Sequence, residues 1–318
     1  MTRTNYTLPI AMISGVLAYF AYVSIPELAD THEVVSDIVS ILQPALIFTM
    51  LLLAFCKVKP HELKPQRWQL KLIATQAFAF ILLALPLIIW PDMPCAVIVE
   101  SAMVCIICPT ATAASVVTGK LGGRTSTVVS YTCVVNLVAA LLIPAIVPLL
   151  HHTHQQADGW TMRAFFDAFI AIIGRVFPLL IMPLLLAFLM RYTMPRLHKW
   201  FVNNSEAAFY LWAVSLSLAI AVTTRAIVHS HETLATYAGI AVVSALACVA
   251  QFYVGRIIGR LHSEPIAGAQ SLGQKNTAFA IWMAYTFMNP VTALAGGFYA
   301  VWHNIINTYQ LMKTAKRI

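Results

Sequence analysis

The chain has 318 residues, of which 60% are apolar and only 10% charged, with a mean hydropathy of +0.78. A soluble domain carries about a quarter charged residues, so this composition excludes a soluble fold and assigns the chain to the bilayer. The formal net charge of +8 would suggest nucleic acid as a partner in a soluble protein. Here the basic residues fall on connections between apolar segments, which points to the membrane and away from nucleic acid.

A spanning helix needs about 20 mostly apolar residues, and ten segments fit that template, at roughly 8–28, 36–56, 68–90, 95–118, 125–149, 169–190, 207–228, 233–256, 266–288 and 290–312. The first has one Arg before it, a long apolar core and further spans behind it, so it reads as a true span and not as a cleaved signal. After it come Glu27, Asp30, Glu33 and Asp37; after the second come Lys57, Lys59, Lys64, Arg67 and Lys71. This alternation continues. Lys120 and Arg124, Arg191, Arg196 and Lys199, Arg256 and Arg260, and Lys313, Lys316 and Arg317 share the side of Arg3. Asp92, Asp158 and Glu232 lie opposite, with Arg163 and Arg225. One side thus holds sixteen of the 20 basic residues. The positive-inside rule places it, and both termini, in the cytoplasm of a cell bounded by an inner membrane. An odd number of spans would scramble the pattern.

Two of the apolar segments break on small polar motifs. The fourth is interrupted at Cys108-Pro109-Thr110-Ala111-Thr112, where proline lacks the N–H and clashes with the preceding turn. The ninth is interrupted at Gly273-Gln274-Lys275-Asn276-Thr277. A membrane helix that opens its backbone must satisfy the freed groups with protein, water, ion or ligand. Paired breaks in corresponding positions of two halves point to a transporter's binding site. Ten spans divide into five plus five, and an odd number per half inverts the second copy. The expected fold is therefore an all-α membrane protein, a single unit over 1–318, with repeat one at 1–150 and repeat two at 161–318. Its discontinuous helices 4 and 9 would cross. Each half-helix that restarts after its break offers free N–H groups and the positive end of a dipole, and together these suit an anion.

The Cys108-Pro109 segment with Thr112, the Gly273-x-x-Asn276 segment and Val301-Trp302-His303-Asn304-Ile305 resemble the bile acid:sodium symporter family over essentially the full chain. The resemblance implies a panel domain (1–60 and 161–230) and a core domain (66–150 and 231–318). It also implies a small organic anion as substrate, of the class of bile acids, pantoate or 2-oxo acids. Substrate would contact Thr110, Thr112, Ala113, Asn276 and Thr277.

The positions where that family binds sodium have changed. Its Ser-Asn after the first break falls on Ala114-Ser115, and its Ser and Thr in span five fall on Val128 and Thr132. Its Glu before the second break falls on Ser271, and the Gln of its Gln-Asn pair falls on Lys275. Its Gln in span three falls on Gln76 or Ala77. Sodium, a hard cation, wants several oxygen ligands and usually negative charge. The expectation is no cofactor and no sodium coupling. A lysine at mid-bilayer costs about 2.5–3.5 kcal/mol on the lenient insertion scale. Lys275 reads as a fixed stand-in for the cation, as a proton carrier, or as a structural cap.

Glu100 lies nine residues before Pro109, about 13 Å outward by helical rise, and reads as an acid near the outer mouth or as a partner of Lys275. His303 reads as a packed helix residue or as a proton relay. His151, His152 and His154 form a loop cluster suited to adventitious metal. The six cysteines lack metal spacing and read as small apolar residues, with thiol chemistry at Cys108 the alternative. An intramembrane enzyme is disfavoured, because no Ser/Lys pair, paired Asp or HExxH lies at membrane depth. The remaining alternatives are a sodium- or proton-coupled symporter, an arsenite- or auxin-carrier-like exporter, and a channel or sensor.

Overall fold

A computed structural model of the protein describes residues 7–26, 31–60, 64–151 and 161–315. Arg3, Glu27, Asp30, His152, His154, Asp158, Lys316 and Arg317, on which parts of the charge and metal readings rest, lie outside the described residues, as does the side chain of His151. The described residues form thirteen α-helices and no strand beyond one isolated bridge. In chain order they are α1 (Thr7–Val23), α2 (His32–Cys56), α3 (Arg67–Ile89), α4 (Ala96–Ile107), α5 (Ala113–Lys120), α6 (Thr125–His151) and α7 (Met162–Thr193). They continue with α8 (Pro195–Asn203), α9 (Ala207–Val228), α10 (Leu234–Arg260), α11 (Pro265–Gly273), α12 (Thr277–Phe287) and α13 (Leu294–Ala315), the last preceded by a 3-10 turn over Pro290–Ala293.

All ten apolar segments are helical, in one piece or in two. Among the described residues six helices are long and apolar enough to cross a bilayer unaided: α2, α3, α6, α7, α9 and α10. Shorter apolar helices are Pro9–Val23, Ala96–Ile107 and Thr277–Phe287. The sixth segment starts earlier than expected, because Thr161 caps α7 by accepting from the N–H of Ala164 at 3.2 Å. Thr233 caps α10 in the same way through Thr236 N–H, also at 3.2 Å. The helix α8 has no counterpart in the sequence reading. Its nine residues are too few and too polar for a span, but Pro195 at its first position starts a helix readily. Phe201 and Val202 then pack on the bundle, while Arg196 and Lys199 stay exposed.

Outward faces carry rows of apolar side chains at helical spacing. Phe78, Leu82, Leu85 and Ile89 are exposed on α3, and Val242, Leu246, Val249 and Tyr253 on α10. Soluble proteins rarely expose such continuous patches, whereas lipid solvates them. Inward, α1, α2, α7, α8 and α9 pack on one another, and α10 packs on α4, α11 and α13. The approach of α11 to α10 is close enough to need glycine on both. A Cβ on Gly268 would lie 2.3 Å from the carbonyl oxygen of Gly255, and the converse contact is equally short. Backbone contact of this kind is how small residues glue membrane helices. At one end of α11, buried Glu264 pairs with Arg124 at 3.0 Å, tying the turn after α10 to the turn after α5.

Candidate functional site

α4 ends at Ile107 and α5 begins at Ala113; α11 ends at Gly273 and α12 begins at Thr277. The two unwound stretches lie side by side. The N–H of Ala111 donates to the carbonyl of Gln274 at 2.8 Å, and that of Asn276 to the carbonyl of Pro109 at 2.8 Å. Thr110 and Lys275 therefore oppose each other as the single antiparallel bridge. In a pair flanked in this way, the central residues point their own N–H and C=O groups away from each other.

Several of the remaining freed carbonyls are met by side chains. Gln76 on α3 donates to the carbonyl of Ile107 at 3.0 Å and lies 3.4 Å from that of Cys108, and its own oxygen accepts from Tyr131 of α6 at 3.1 Å. Gln76 is thus the span-three residue whose side chain serves the first break. On the second break, Tyr299 of α13 donates to the carbonyl of Gly273 at 2.8 Å. Gln251 of α10 donates to Tyr299 at 3.1 Å and to the carbonyl of Cys105 at 3.1 Å. Cys108 donates its thiol to the carbonyl of Asn276 at 2.8 Å, and Thr110 its hydroxyl to that of Ser271 at 2.6 Å. Gly273 has no room for a side chain, since a Cβ there would fall 2.4 Å from the ring of Phe252.

The five expected substrate residues are brought into this crossing unequally. Thr110 is fully buried and its hydroxyl is committed. Asn276 is buried and caps α12, accepting from the N–H of Phe279 at 3.3 Å. Thr277 is buried at the first turn of α12. Thr112 is half-buried and makes no side-chain cap, and Ala113 is exposed. The start of α5 is thus the accessible end, while the start of α12 is covered.

The positions that the resemblance matches to sodium ligands are poorly furnished for that ion. Ala114 and Val128 are buried in one apolar cluster with Leu272 and Tyr131. The hydroxyl of Thr132 donates to the carbonyl of Val128 at 2.8 Å, and that of Ser115 to the carbonyl of Thr112 at 3.2 Å. No carboxylate remains at Ser271, and an ammonium occupies position 275. This donor set does not fit a hard cation. Among the described residues no group of three or more His, Cys, Asp or Glu could hold a metal.

Lys275 is 1% exposed, and its Nζ has no hydrogen-bond partner among the described residues. It lies within electrostatic reach of Cys105, Cys108 and Cys248. The hydroxyl of Ser271 and the Oε1 of Gln274 are likewise buried without partners. An unsatisfied buried polar group costs about 1–3 kcal/mol, more if charged. All three belong to residues within a few positions of the second break. Glu100 is half-buried and accepts from the hydroxyl of Thr292 at 3.0 Å. His303 is buried one turn along α13 from Tyr299, their rings edge to face at 5.8 Å, and its Nδ1 has no partner.

Sequence reasoning missed Tyr131, Gln251 and Tyr299. A lone glutamine inside an apolar helix was the available signal, and Gln251 carries it. Comparison with family models gives no match to this chain, and comparison with curated proteins gives none either.

Proposed function

We propose that the protein is a secondary transporter of organic anions, either bile-acid-like molecules or small carboxylates such as pantoate or 2-oxo acids. It works by alternating access in an inner membrane, with both termini cytoplasmic. The observation that carries this reading is the antiparallel bridge of Thr110 with Lys275, where two interrupted helices meet with an ammonium buried between them. Irregular backbone at membrane depth is tolerated only where protein buries it or a cavity needs it.

Ten spans arranged as a five-plus-five inverted repeat account for a correspondence that neither break explains alone. Gln76 and Tyr131 pair across spans three and five, and Gln251 and Tyr299 pair across spans eight and ten. Each pair serves the carbonyl end of a broken helix. Likeness to the bile acid:sodium symporter family supports the same division into a panel (1–60, 161–230) and a core (66–150, 231–318).

The substrate carboxylate sits at the starts of α5 and α12, against Thr112, Ala113, Asn276 and Thr277, with Thr110 contributing backbone. Lys275 stands where a cation would stand, so flux does not need sodium. It holds the crossing in something like the ion-bound arrangement and gives facilitated diffusion or exchange. If the ammonium gives up its proton in each cycle, flux couples to protons instead.

Counterflow in proteoliposomes against a panel of organic anions, with sodium or choline and at several pH values, tests this. Accelerated exchange of one anion, equal in both salts, is the expected result. A large sodium-dependent gain in affinity would overturn the sodium-free mechanism. Dissipative, non-saturating flux would assign a channel.

A further inference from the structure

Outside the crossing, the structure holds a cavity of about 470 Å³ where α2 and α9 face the end of α12 and the 3-10 turn. Its wall includes Ser36, Arg225, His229, Ser230, Tyr285 and Asn289. Tyr285 is eight residues along α12 from Thr277, about 12 Å by helical rise. The cavity therefore lies one short helix away from the crossing. It is also on a boundary: Ser36, Arg225, His229 and Ser230 come from the α2 and α9 side, and Tyr285 and Asn289 from the other.

Among the lining residues Arg225 alone carries a permanent charge. Arg225 is exposed and makes no ion pair among the described residues, although Glu33 and Asp37 flank Ser36 on α2. An arginine is always charged and offers a planar fork of donors matched to a carboxylate or sulfonate. The Oδ1 of Asn289 accepts from the N–H of Val291 at 3.0 Å, which leaves its amide NH₂ as a donor. Ser230 is fixed by a short hydrogen bond to the hydroxyl of Tyr237. The ring of His229 is 3.5 Å from the hydroxyl of Tyr19. A free guanidinium, amide and hydroxyl donors and an aromatic ring in one open cavity suit an anion with an apolar body.

We propose that this cavity is an outer vestibule, in which Arg225 captures the carboxylate or sulfonate of an organic anion before it reaches the crossing. The purpose rests on the transport reading; the anion selectivity of the cavity does not.

Two arms test it separately. In the first, Ser36→Cys is made in a Cys95→Ser background, which leaves five buried native thiols. The purified protein in detergent is treated with methanethiosulfonates carrying either a sulfonate or a trimethylammonium group. Because a charged cleft raises the encounter rate of opposite charge by tenfold or more, the sulfonate-to-ammonium rate ratio should fall roughly tenfold on Arg225→Gln. With Arg225 in place, the ratio should also fall toward unity as salt is raised. A ratio that neither the variant nor salt moves would overturn the proposal, and the salt series alone decides should the variant misfold.

In the second arm, uptake of radiolabelled cholate, pantoate and pyruvate is measured. Arg225→Gln should raise the half-saturating concentration about tenfold with little change in maximal rate, and Arg225→Lys should restore part of the loss. A fall in maximal rate alone would overturn a capture role. If the unaltered protein carries no anion, the transport reading fails while the thiol arm still decides the nature of the cavity.

Discussion

At the scale of single residues, Lys275 is the costliest choice in the chain. A buried ammonium without a partner at its Nζ persists only if something else requires it, since insertion scales charge about 2.5–3.5 kcal/mol for it. Replacing it by glutamine removes one charge-assisted contact to an anion. We expect Lys275→Gln to fold and to weaken substrate affinity about tenfold or more, measured by binding to the purified protein. Adding Ser271→Glu to it places a carboxylate and an amide oxygen at the positions that the resemblance matches to sodium ligands, and affinity should then respond to sodium. Glu264 offers a second test. Burial pushes its carboxyl above the ordinary range, and the Arg124 guanidinium opposes this only in part. With the folded pKa above the unfolded one, its contribution to stability is present at low pH and lost as pH rises past the ordinary carboxylate range. Glu264→Gln should therefore gain in melting temperature relative to the parent as pH rises from below the ordinary carboxylate range to neutrality. Equal pH profiles for the two proteins would refute this.

At the scale of elements, the argument turns on the two half-helices that begin at the crossing. Asn276 serves structure as well as the site, since its side chain caps α12. Thr112 caps nothing. Substitution by alanine separates these roles. Asn276→Ala should cost about 1 kcal/mol of stability through the lost cap, along with substrate affinity. Thr112→Ala should leave the stability within about 0.5 kcal/mol of the parent while still weakening binding several-fold. If both variants bound substrate as the parent does, the anion would not sit at the starts of α5 and α12.

The positions of the breaks were legible in the sequence because proline and glycine punctuate a helix regardless of its neighbours. The partners of the freed carbonyls were not, because Gln76, Gln251 and Tyr299 reach them from other helices, Gln76 itself being held by Tyr131. α8 was not legible either, being an amphipathic turn of chain with no spanning signal.

At the scale of the whole molecule, the cavity lined by Ser36 on one side and Asn289 on the other spans the boundary on which the proposed alternating access would depend. If the core rocks against the panel, this boundary must open and close in every cycle. A Ser36→Cys, Asn289→Cys double variant joined by a short bismaleimide should lose turnover, while each single variant treated alike retains it. Full flux by the joined protein would count against rocking. The joined protein should still bind substrate, since the crossing lies one helix away from the link.

The apolar runs, their number and the sidedness of Lys and Arg are properties of the sequence alone, because partitioning into lipid acts on each segment separately. The helices follow from them, since a backbone in lipid has almost no alternative. The interruptions at Pro109 and Gly273 belong to the same class, as does the presence of Ala114, Val128, Ser271 and Lys275, a set of residue types unsuited to binding sodium. Tertiary structure decided what those residues meet. It set Thr110 opposite Lys275, turned Gln76 toward the end of α4, covered Asn276 and left Ala113 accessible, and brought Arg225 into a cavity with Tyr285 and Asn289. Such contacts join residues far apart in the chain, 168 positions in the case of Cys108 and Asn276. They depend on how whole helices pack, through close approaches such as Gly255 on Gly268, and no local pattern in the chain encodes that geometry.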